Sequence, residues 1–369
     1  MDHSWYRVQN IDTVDSPALL VFPDRIRENI RLLKTMSQGV DWLRPHVKTH
    51  KIAEVSQMLI AEGVYKFKCA TIAEAEMLAM AGAKDVLLAY QPVGPKINRL
   101  LELVSTYPTT TFSCLIDSIP AAEAIAKIFS AAGKTISVFI DLNVGINRTG
   151  ISPDHAALEL YLSAAQMSGI TPVGLHAYDG HLRDADFTLR KQKADEAFKP
   201  VLDLAAQLAD KGYAYPILVA GGSPTFPIHA QRNGIECSPG TFIFWDWGYH
   251  TQLPEQPFLF AALLVTRVIS IIDANTLCLD LGHKSVAAEN PLPRVTFLNV
   301  TGAQPLSQSE EHMVVSVQDS RSHKVGDVWY GVPVHICPTC ALYDSVYVAN
   351  DHTIVDKWAV IARNRAIHI

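Results

Sequence analysis

The sequence of 369 residues has little of what marks membrane, secreted or nucleic-acid-binding proteins. Its longest apolar run, near residues 257–265, stops at Arg267 and is far too short to span a bilayer. Its first residues contain no basic stretch followed by an apolar core, so we expect no signal peptide and a cytoplasmic location. Its six cysteines are scattered and lack the density of a disulfide scaffold, which is typical of a reduced protein.

An excess of positive charge is also lacking. Lys and Arg total 31 against 37 Asp and Glu, for a net charge of -6, which argues against nucleic acid or an anionic membrane as the main partner. The composition, 49% hydrophobic and 18% charged, excludes a largely disordered chain and predicts a generous core. These values favour an enzyme-like globular protein, and they allow a local basic pocket for a small phosphate.

The pattern of apolar residues divides the chain into two domains. From about residue 17 to 250, short apolar runs alternate with segments of helical periodicity, such as Ile72–Ala81. This pattern predicts an α/β fold with an N-terminal (β/α)8 TIM-type barrel over residues 17–250, with a doubly wound sheet as the alternative. Residues 1–16 and 251–369 are predicted to form a β-rich domain, because β-branched residues alternate with polar ones there. The predicted barrel strands are Trp42–Lys48, Phe67–Thr71, Val86–Tyr90, Thr111–Ile116, Ile136–Asp141, Val173–Tyr178, Ile217–Ala220 and Glu236–Phe242.

The first chemical signal lies at residues 43–51, which read LRPHVKTHK. If this segment ends a strand, Arg44, His46 and Lys48 share one face, because side chains two apart point the same way. They would then point together into the barrel, at the end where barrel enzymes keep their active sites. A solvated basic turn is the alternative.

Three loops after predicted barrel strands offer groups that bind ligands. The strand that ends at Asp141 leads into a Gly-rich loop carrying Arg148, a plausible ligand-binding loop. The loops 221–226 and 238–241 offer backbone N–H groups and hydroxyls, which suit a phosphate near helix N-termini. Two ordinary turns are the alternative for the last two loops.

The predicted β-rich domain contains a candidate metal pair. On a strand, His335 and Cys337 would share a face, and an imidazole and a thiolate can bind one soft divalent ion. Two protein ligands leave positions open for substrate or water, as a catalytic metal requires. Simple packing is the alternative, and a structural zinc is not expected because Cys337-x-x-Cys340 has no second Cys-x-x-Cys partner.

Taken in order, these motifs resemble the D-threonine aldolase and D-serine dehydratase family, of the alanine-racemase-like, fold type III pyridoxal-phosphate enzymes. The resemblance covers the chain from about Ser16 to its end. It implies a lyase that acts on small D-amino acids, usually a homodimer, with an eight-stranded barrel followed by a β domain. The motifs that carry the resemblance are Arg44–Lys51, Asn147–Gly150, Gly221–Thr225 and His335–Thr339.

The resemblance also implies roles for individual residues. Lys48 would carry pyridoxal 5'-phosphate as an internal aldimine, and Arg148 would lie beside the cofactor ring. His176 and Tyr178 would also contact the cofactor. Some family members have a Tyr-rich segment here, so Tyr178 or His181 would take the role of a tyrosine at position 176. The phosphate would be held by Gly222, Ser223, Gly240 and Thr241, and a divalent metal, zinc or manganese, by His335 and Cys337.

The preferred reaction is dehydration of a D-3-hydroxy amino acid to a 2-oxo acid and ammonia. Lys48 would take the Cα proton, and the metal would act as a Lewis acid on the β-oxygen. The alternative is a D-threonine aldolase, in which a base such as His46 takes the hydroxyl proton and glycine and an aldehyde form. The His-x-Cys pair resembles the dehydratases, whereas aldolases of the family tend to carry His-x-Asp. An amino-acid racemase and a non-catalytic pyridoxal-phosphate carrier are further alternatives.

The polar residues Asp280, His283 and His312 of the predicted β-rich domain are interpreted as parts of solvated turns.

Overall fold

The computed structural model describes residues 4–369. The strands of this part of the chain are β1 (Ala18–Val21), β2 (Lys66–Cys69), β3 (Asp85–Leu88), β4 (Thr111–Ile116), β5 (Ile136–Leu142), β6 (Ile170–Ala177), β7 (Ile217–Ala220), β8 (Ile235–Cys237), β9 (Ala262–Asp273), β10 (Thr276–Leu279), β11 (Val295–Phe297), β12 (Gln304–Gln308), β13 (Met313–Ser316), β14 (Val328–Pro333), β15 (Ser345–Asn350) and β16 (Thr353–Ala359).

The helices of the described residues are α1 (Pro23–Met36), α2 (Ala53–Ala61), α3 (Ile72–Ala81), α4 (Pro95–Thr106), α5 (Ile119–Ala131), α6 (His155–Ala165), α7 (Phe187–Asp210), α8 (Phe226–His229), α9 (Trp247–Gln252) and α10 (Ile336–Cys340). Within residues 4–369, none of these helices combines the length and apolarity needed to cross a membrane. The described chain packs as two compact units. A barrel unit comprises residues 33–48, 53–240 and 364–369, and a β-rich unit comprises residues 4–32, 49–52 and 241–363.

The barrel unit is built on strands β2 to β8, which lie parallel and in sequence order. The segment 43–46 joins both edges of this sheet, because Leu43 forms a parallel bridge with Cys237 of β8 and His46 forms one with Lys68 of β2. The ring therefore contains eight parallel segments with helices between them. This arrangement confirms the predicted (β/α)8 TIM-type barrel.

The first barrel segment is shorter than predicted. The sequence pattern predicts a strand over Trp42–Lys48, but Val40–Trp42 and Val47–Thr49 are turns of 3-10 helix. Pro45 lies between them and has no N–H to donate to a neighbouring strand, so the ladder is limited to isolated bridges. The prediction of an extended strand is wrong at both ends, and the chain has already begun to turn at Lys48.

Burial on both faces accounts for the sequences of the barrel elements. β5 reads ISVFIDL and is buried at all but its second residue, as parallel strands covered by helices require. α3 begins after Thr71, whose hydroxyl accepts the N–H of Glu74 at 3.1 Å, and ends at Gly82, whose φ of 95° is left-handed. These signals explain why the predicted helix Ile72–Ala81 is confirmed at both ends.

The β-rich unit is organised around the long strand β9. The strand order is β12-β13-β10-β9-β1-β15-β16, and β14 pairs with both β9 and β11. β1 lies antiparallel to β9 and parallel to β15, so an N-terminal segment forms part of this sheet. Buried side chains from the first residues and from the sheet form one core, which includes Tyr6, Val8, Leu263, Tyr330 and Val332. This unit confirms the strand-rich C-terminal region that the sequence pattern predicts.

Candidate active site

Lys48 lies where the first barrel segment leaves the ring. It is half-buried in the 3-10 turn Val47–Thr49, and its backbone N–H donates a hydrogen bond to Nδ1 of His46 at 3.2 Å. The side chains of Lys48 and His46 line one cavity, together with residues that follow the carboxyl ends of β2, β3, β5 and β6. Active sites of barrel enzymes lie at this end of the strands. The structure thus brings Lys48 and His46 together at the predicted end of the barrel.

Arg44 does not join them. Its guanidinium is buried and forms ion pairs of 2.6 Å with Asp85 and with Glu236, and Lys66 also pairs with Glu236. Lys66 and Asp85 are the first residues of β2 and β3, so this network lies at the amino ends of the strands. The prediction that Arg44, His46 and Lys48 point together is wrong for Arg44. Its role is to neutralise the buried carboxylate of Glu236 and the partly buried one of Asp85.

Replacing Arg44 with methionine is therefore expected to destabilise the barrel without abolishing cofactor binding. Within the described residues Glu236 would keep only Lys66 as a cationic partner, and breaking a buried pair costs about 3 kcal/mol or more. Urea unfolding measures the loss. The control is Lys191→Met, which removes an exposed pair with Asp195 and should change stability by less than about 0.5 kcal/mol. Loss of cofactor binding from folded Arg44→Met protein would contradict this placement.

The cavity has a volume of about 710 Å³ and a strongly cationic wall. Among the described residues that line it, none is an aspartate or a glutamate. Such a wall attracts anions even in a chain of net charge -6, because the local charges and not the net charge set the potential in a cleft. The cationic side chains of the wall are those of Lys48, Lys68, Lys96, Arg99, Arg148 and Arg365.

A buried chain of hydrogen bonds reaches one side of the cavity. Asp141 at the end of β5 accepts a hydrogen bond from the Thr149 hydroxyl at 2.9 Å, and its other oxygen lies 2.7 Å from Nδ1 of His176 on β6. Nε2 of His176 lies 3.4 Å from Nζ of Lys68 on β2. Burial opposes ionisation of Asp141, but its bond to His176 outweighs this and holds the pKa of the carboxyl below its usual value.

Lys68 has the most perturbed amine of the cavity. Burial, followed by the positive charge of Lys48, lowers the pKa of Lys68 to about 7. Burial and then the charge of Lys68 also lower the pKa of His176, so the imidazole is neutral at physiological pH. Strongly perturbed groups that line a cleft are typical of functional sites.

The ring of Tyr178 lies among three of these cations. The charged ends of Lys48, Lys68 and Arg148 lie 5.7, 5.5 and 5.3 Å from its centroid, within the range of cation–π attraction. A Cβ atom at Gly222 would lie 2.8 Å from this ring, so any larger residue would displace it. The structure therefore places Tyr178 and His176 in the cavity wall. His181 is exposed over the loop at Gly145 and does not line the cavity.

The two predicted phosphate loops meet in the barrel unit. The backbone N–H of Gly240 donates to the hydroxyl of Ser223 at 3.4 Å, and both residues are buried. The hydroxyl of Ser238 is buried without a hydrogen-bond partner among the described residues. A buried hydroxyl that lacks a partner in the described part of the chain can donate to an oxyanion such as phosphate.

A buried pair fixes the first of these loops. Asp179 accepts a hydrogen bond from the hydroxyl of Thr225 at 2.6 Å, and its second oxygen lies 2.8 Å from Nε2 of His229. Burial raises the pKa of Asp179, but His229 and Thr225 outweigh it and the net pKa is lowered. The carboxylate therefore holds the loop that contains Gly222 and Ser223.

His335 and Cys337 lie together in the β-rich unit, but not on a strand. β14 ends at Pro333, and His335 is the N-cap of α10. The prediction that alternation along a strand places them on one face is therefore wrong, although the short helical turn brings imidazole and thiol into hydrogen-bond contact. His335 and Cys337 are therefore neighbours because of a helical turn, and not because of alternation along a strand.

Both candidate metal ligands have further partners in the β-rich unit. Nδ1 of His335 lies 2.5 Å from Oε1 of Glu289. The sulfur of Cys337 lies 3.2 Å from the hydroxyl of Thr49 and 3.6 Å from that of Thr241. Burial lowers the pKa of His335, but the hydrogen bonds to Cys337 and Glu289 outweigh it and raise the pKa to about 9. Within residues 4–369, no group of three or more His, Cys, Asp or Glu side chains is arranged to hold a metal ion.

The remaining polar clusters of the sequence have structural partners. Asp280 accepts hydrogen bonds from Ser16 and Thr266 and from the backbone N–H of Arg267. The backbone N–H groups of His283 and Lys284 donate to carbonyls at Ser309 and Glu310, which closes the turn that includes His312. These contacts agree with the interpretation as turns.

Sequence reasoning missed Lys68, Asp141 and Glu289. A signal for Lys68 was present, because β2 reads KFKC and its third residue is a lysine in a strand that is otherwise apolar at its carboxyl end. A signal for Asp141 was also present, because it follows the apolar run ISVFI at a strand end. Glu289 lies in a polar loop and carries no comparable signal.

Comparison with known proteins identifies relatives along the whole chain. The family described as "Alanine racemase, N-terminal domain" matches residues 21–246, and the one described as "Putative serine dehydratase domain" matches residues 261–349. A D-threonine aldolase of Arthrobacter sp is 27% identical over 359 residues, covering 95% of this chain and 93% of that protein. A D-threo-3-hydroxyaspartate dehydratase of Delftia sp. (strain HT23) is 29% identical over 240 residues, covering 63% of this chain and 62% of that protein.

The crystal structure of D-threonine aldolase from Filomicrobium marinum is similar with a TM-score of 0.87 and 27% identity, covering 95% of this chain and 96% of that one. The chain belongs to the alanine racemase N-terminal domain family, as the resemblance of its motifs implies. Within that family it is an enzyme of the fold type III pyridoxal-phosphate-dependent lyases, which act on D-amino acids. The relatives include both aldolases and dehydratases.

Proposed function

We propose that the enzyme dehydrates D-amino acids that carry a 3-hydroxyl group, such as D-serine and D-threonine, to a 2-oxo acid and ammonia. The observation that carries this choice is the hydrogen bond from the backbone N–H of Lys48 to Nδ1 of His46. This hydrogen bond occupies Nδ1 of His46, the residue that would act as the base in the competing aldol cleavage. The side chain of Lys48 still lines the cavity.

The hydrogen bond of His46 defines its tautomer. A neutral imidazole that accepts at Nδ1 carries its proton on Nε2, so its basic nitrogen faces the backbone of Lys48. We infer that His46 does not remove the substrate's hydroxyl proton, as the aldolase mechanism would require of it. Its role is instead to fix the turn at Lys48. The Lys48 amine remains to take the Cα proton, which is the base that dehydration needs.

The residues of the barrel unit fit pyridoxal phosphate. Lys48 supplies an amine for the cofactor aldehyde, and Ser223, Ser238 and Gly240 supply hydroxyls and an N–H group for its phosphate. Gly222 leaves the space that a side chain would fill. When bound, pyridoxal phosphate supplies an electron-withdrawing ring that makes the Cα–H bond acidic. The cationic wall would attract the substrate carboxylate, and Arg148 stays the predicted neighbour of the ring.

We further propose His335 and Cys337 as ligands of a divalent metal. Imidazole nitrogen and thiolate sulfur favour zinc over manganese, which prefers oxygen ligands. Glu289 would accept the Nδ1 proton of His335, the arrangement that commonly orients a histidine ligand. Two protein ligands leave positions for water or another oxygen ligand, and a bound metal would supply a Lewis acid.

Product analysis on D-threonine tests the proposal. We expect 2-oxobutyrate and ammonia in equal amounts, with more product when zinc is added to chelator-treated protein. L-Threonine is the matched control, because it has the same functional groups and the opposite configuration at Cα. Glycine and acetaldehyde as the main products would establish the aldolase instead.

The aldolase is the second candidate because the D-threonine aldolase of Arthrobacter sp matches nearly the whole chain. A racemase would exchange the Cα hydrogen of D-alanine with solvent and would keep its activity in a strong chelator.

The homodimer implied by the family resemblance stays a prediction, which light scattering of the purified protein tests.

A further inference from the structure

Lys68 is a buried amine in the cavity to which the proposed mechanism gives no task. It is the third residue of β2, its residue is 3% exposed, and its Nζ atom lies 3.4 Å from Nε2 of His176. It lines the same cavity as Lys48, and the two amines lie near the ring of Tyr178, at 5.5 and 5.7 Å from its centroid. Among the described residues no carboxylate lies within ion-pair distance of Lys68, and burying such an amine is costly, so its presence requires an explanation.

The bonds behind Lys68 orient its nitrogen. Asp141 lies 2.7 Å from Nδ1 of His176 and, as a carboxylate, accepts the proton there. Nε2 of His176 is then an acceptor, and Lys68 can donate one N–H to it whether the lysine is charged or neutral. The hydrogen bond therefore holds Nζ in place while its other positions face the cavity. Lys68 can therefore lose a proton to a bound molecule and remain hydrogen-bonded to His176.

The surroundings of Lys68 make it a better acid than an ordinary lysine. Burial disfavours the charged amine, and the nearest cations disfavour it further, so the pKa is lowered to about 7 despite two carboxylates. A general acid is most effective when its pKa lies near the working pH. The charges of Lys48, Asp141, Asp179 and Arg44 all act on the pKa of Lys68. The titratable groups beside its amine are His176 and Tyr178, and Arg148 lies near the same Tyr178 ring.

We propose that Lys68 is the general acid that protonates the departing 3-hydroxyl group, a role that rests on the proposed dehydratase function. The Cα–H bond breaks, its proton passes to the amine of Lys48, and its electron pair forms the bond between Cα and Cβ. The Cβ–O bond breaks with its pair on oxygen, which takes a proton from the Lys68 ammonium and leaves as water. Lys48 gains one proton and Lys68 loses one, so the total charge in the cavity is unchanged, and solvent returns the proton.

A change of leaving group tests this role. Chloride needs no proton to depart, so β-chloro-D-alanine and D-serine give the same pyruvate and ammonia but differ in their need for an acid. With holoenzyme, Lys68→Met is expected to lower kcat/KM on D-serine by about 10²-fold or more. On β-chloro-D-alanine the same variant should lose far less. Lys68→Arg, which keeps the charge but holds its proton too tightly, should behave like Lys68→Met.

The control for this experiment is Lys84→Met, which removes an exposed lysine in the loop before β3. Cofactor absorbance and thermal unfolding of each variant confirm that the site is loaded and folded. Equal losses on both substrates, or no loss on D-serine, would overturn the role of Lys68. If wild-type enzyme eliminates chloride but dehydrates no 3-hydroxy amino acid, the proposed function itself has failed, and that result is read from the wild-type arm alone.

A second measurement requires no turnover. Trace labelling with acetic anhydride across a pH series, followed by peptide mass spectrometry, gives the fraction of neutral amine at each lysine. Lys68 should react as an amine with a pKa near 7, about three units below the pKa of a lysine in a model peptide. Asp141→Asn, which removes a negative charge near Lys68, should shift its labelling curve to lower pH. A curve for Lys68 that matches that of Lys84 would contradict the proposal.

Discussion

Lys48→Ala protein is expected to purify without the visible absorbance of lysine-bound pyridoxal phosphate and to lose activity by about 10⁴-fold or more, as when a covalent catalytic group is removed. The variant has no amine at the turn after the first barrel segment, so the cofactor aldehyde loses its attachment point and the Cα proton loses its base. Absorbance spectra and product assays measure the two losses separately. Lys84→Ala is the matched control and should keep both properties.

Because the cavity contains a second lysine, the prediction also has to specify which lysine carries the cofactor. Lys68 lines the same wall and has a lowered pKa, so it is also chemically able to condense with an aldehyde. Reduction of wild-type holoenzyme with borohydride, followed by peptide mapping, identifies the lysine that carries the cofactor. We expect the adduct on Lys48. An adduct on Lys68, or absorbance that survives in Lys48→Ala protein, would reverse the roles of the two amines.

The barrel was predictable because its elements follow local rules. Buried parallel strands read as short apolar runs, and helices such as α3 carry their caps in the sequence, at Thr71 and Gly82. The carboxyl ends of parallel strands meet at one end of a barrel, so a motif that follows a strand can be placed before any contact is known. This rule brought Lys48, His176 and Tyr178 to one cavity.

The same local rules failed where the chain leaves a strand. The two-residue alternation assigned Arg44 to the site, but Pro45 interrupts the ladder and the guanidinium turns to Asp85 and Glu236 at the amino ends of the strands. Alternation also assigned His335 and Cys337 to a strand that ends at Pro333. A change from strand to helix within three residues alters which side chains are neighbours, and no periodicity can be read over so short a segment.

The partners of the site residues could not be predicted from one sequence. His176 is 108 residues from Lys68 and 35 from Asp141, and Glu289 is 46 from His335. These pairs are set by the register of distant elements, which depends on the packing of the entire unit. The groups that alter the pKa values of the site are therefore visible only in the structure.

If His335 and Cys337 bind zinc as proposed, replacing Cys337 with serine is expected to abolish zinc binding and most of the activity. Serine keeps the size and the hydrogen bonds to the hydroxyls of Thr49 and Thr241, but it is neutral at physiological pH and is a poor zinc ligand. We expect zinc affinity to fall by at least about 10³-fold, more than the 10–100-fold typical of residues that only orient a ligand. Metal analysis after dialysis against a weak chelator measures the loss.

Two further variants separate a ligand from a structural thiol. Cys278→Ser removes another thiol of the β-rich unit, one that is not fully buried, and should leave metal content and activity unchanged. Glu289→Gln keeps His335 as a donor but weakens its orientation, so zinc affinity should fall by the intermediate factor of about 10–100. Cys337→Ser protein with full zinc content and full activity would show that the sulfur packs in the core and binds no metal. A graded loss in the order Cys278, Glu289, Cys337 would instead identify the thiolate as a ligand, because packing alone gives no reason for a carboxylate bonded to His335 to affect metal affinity.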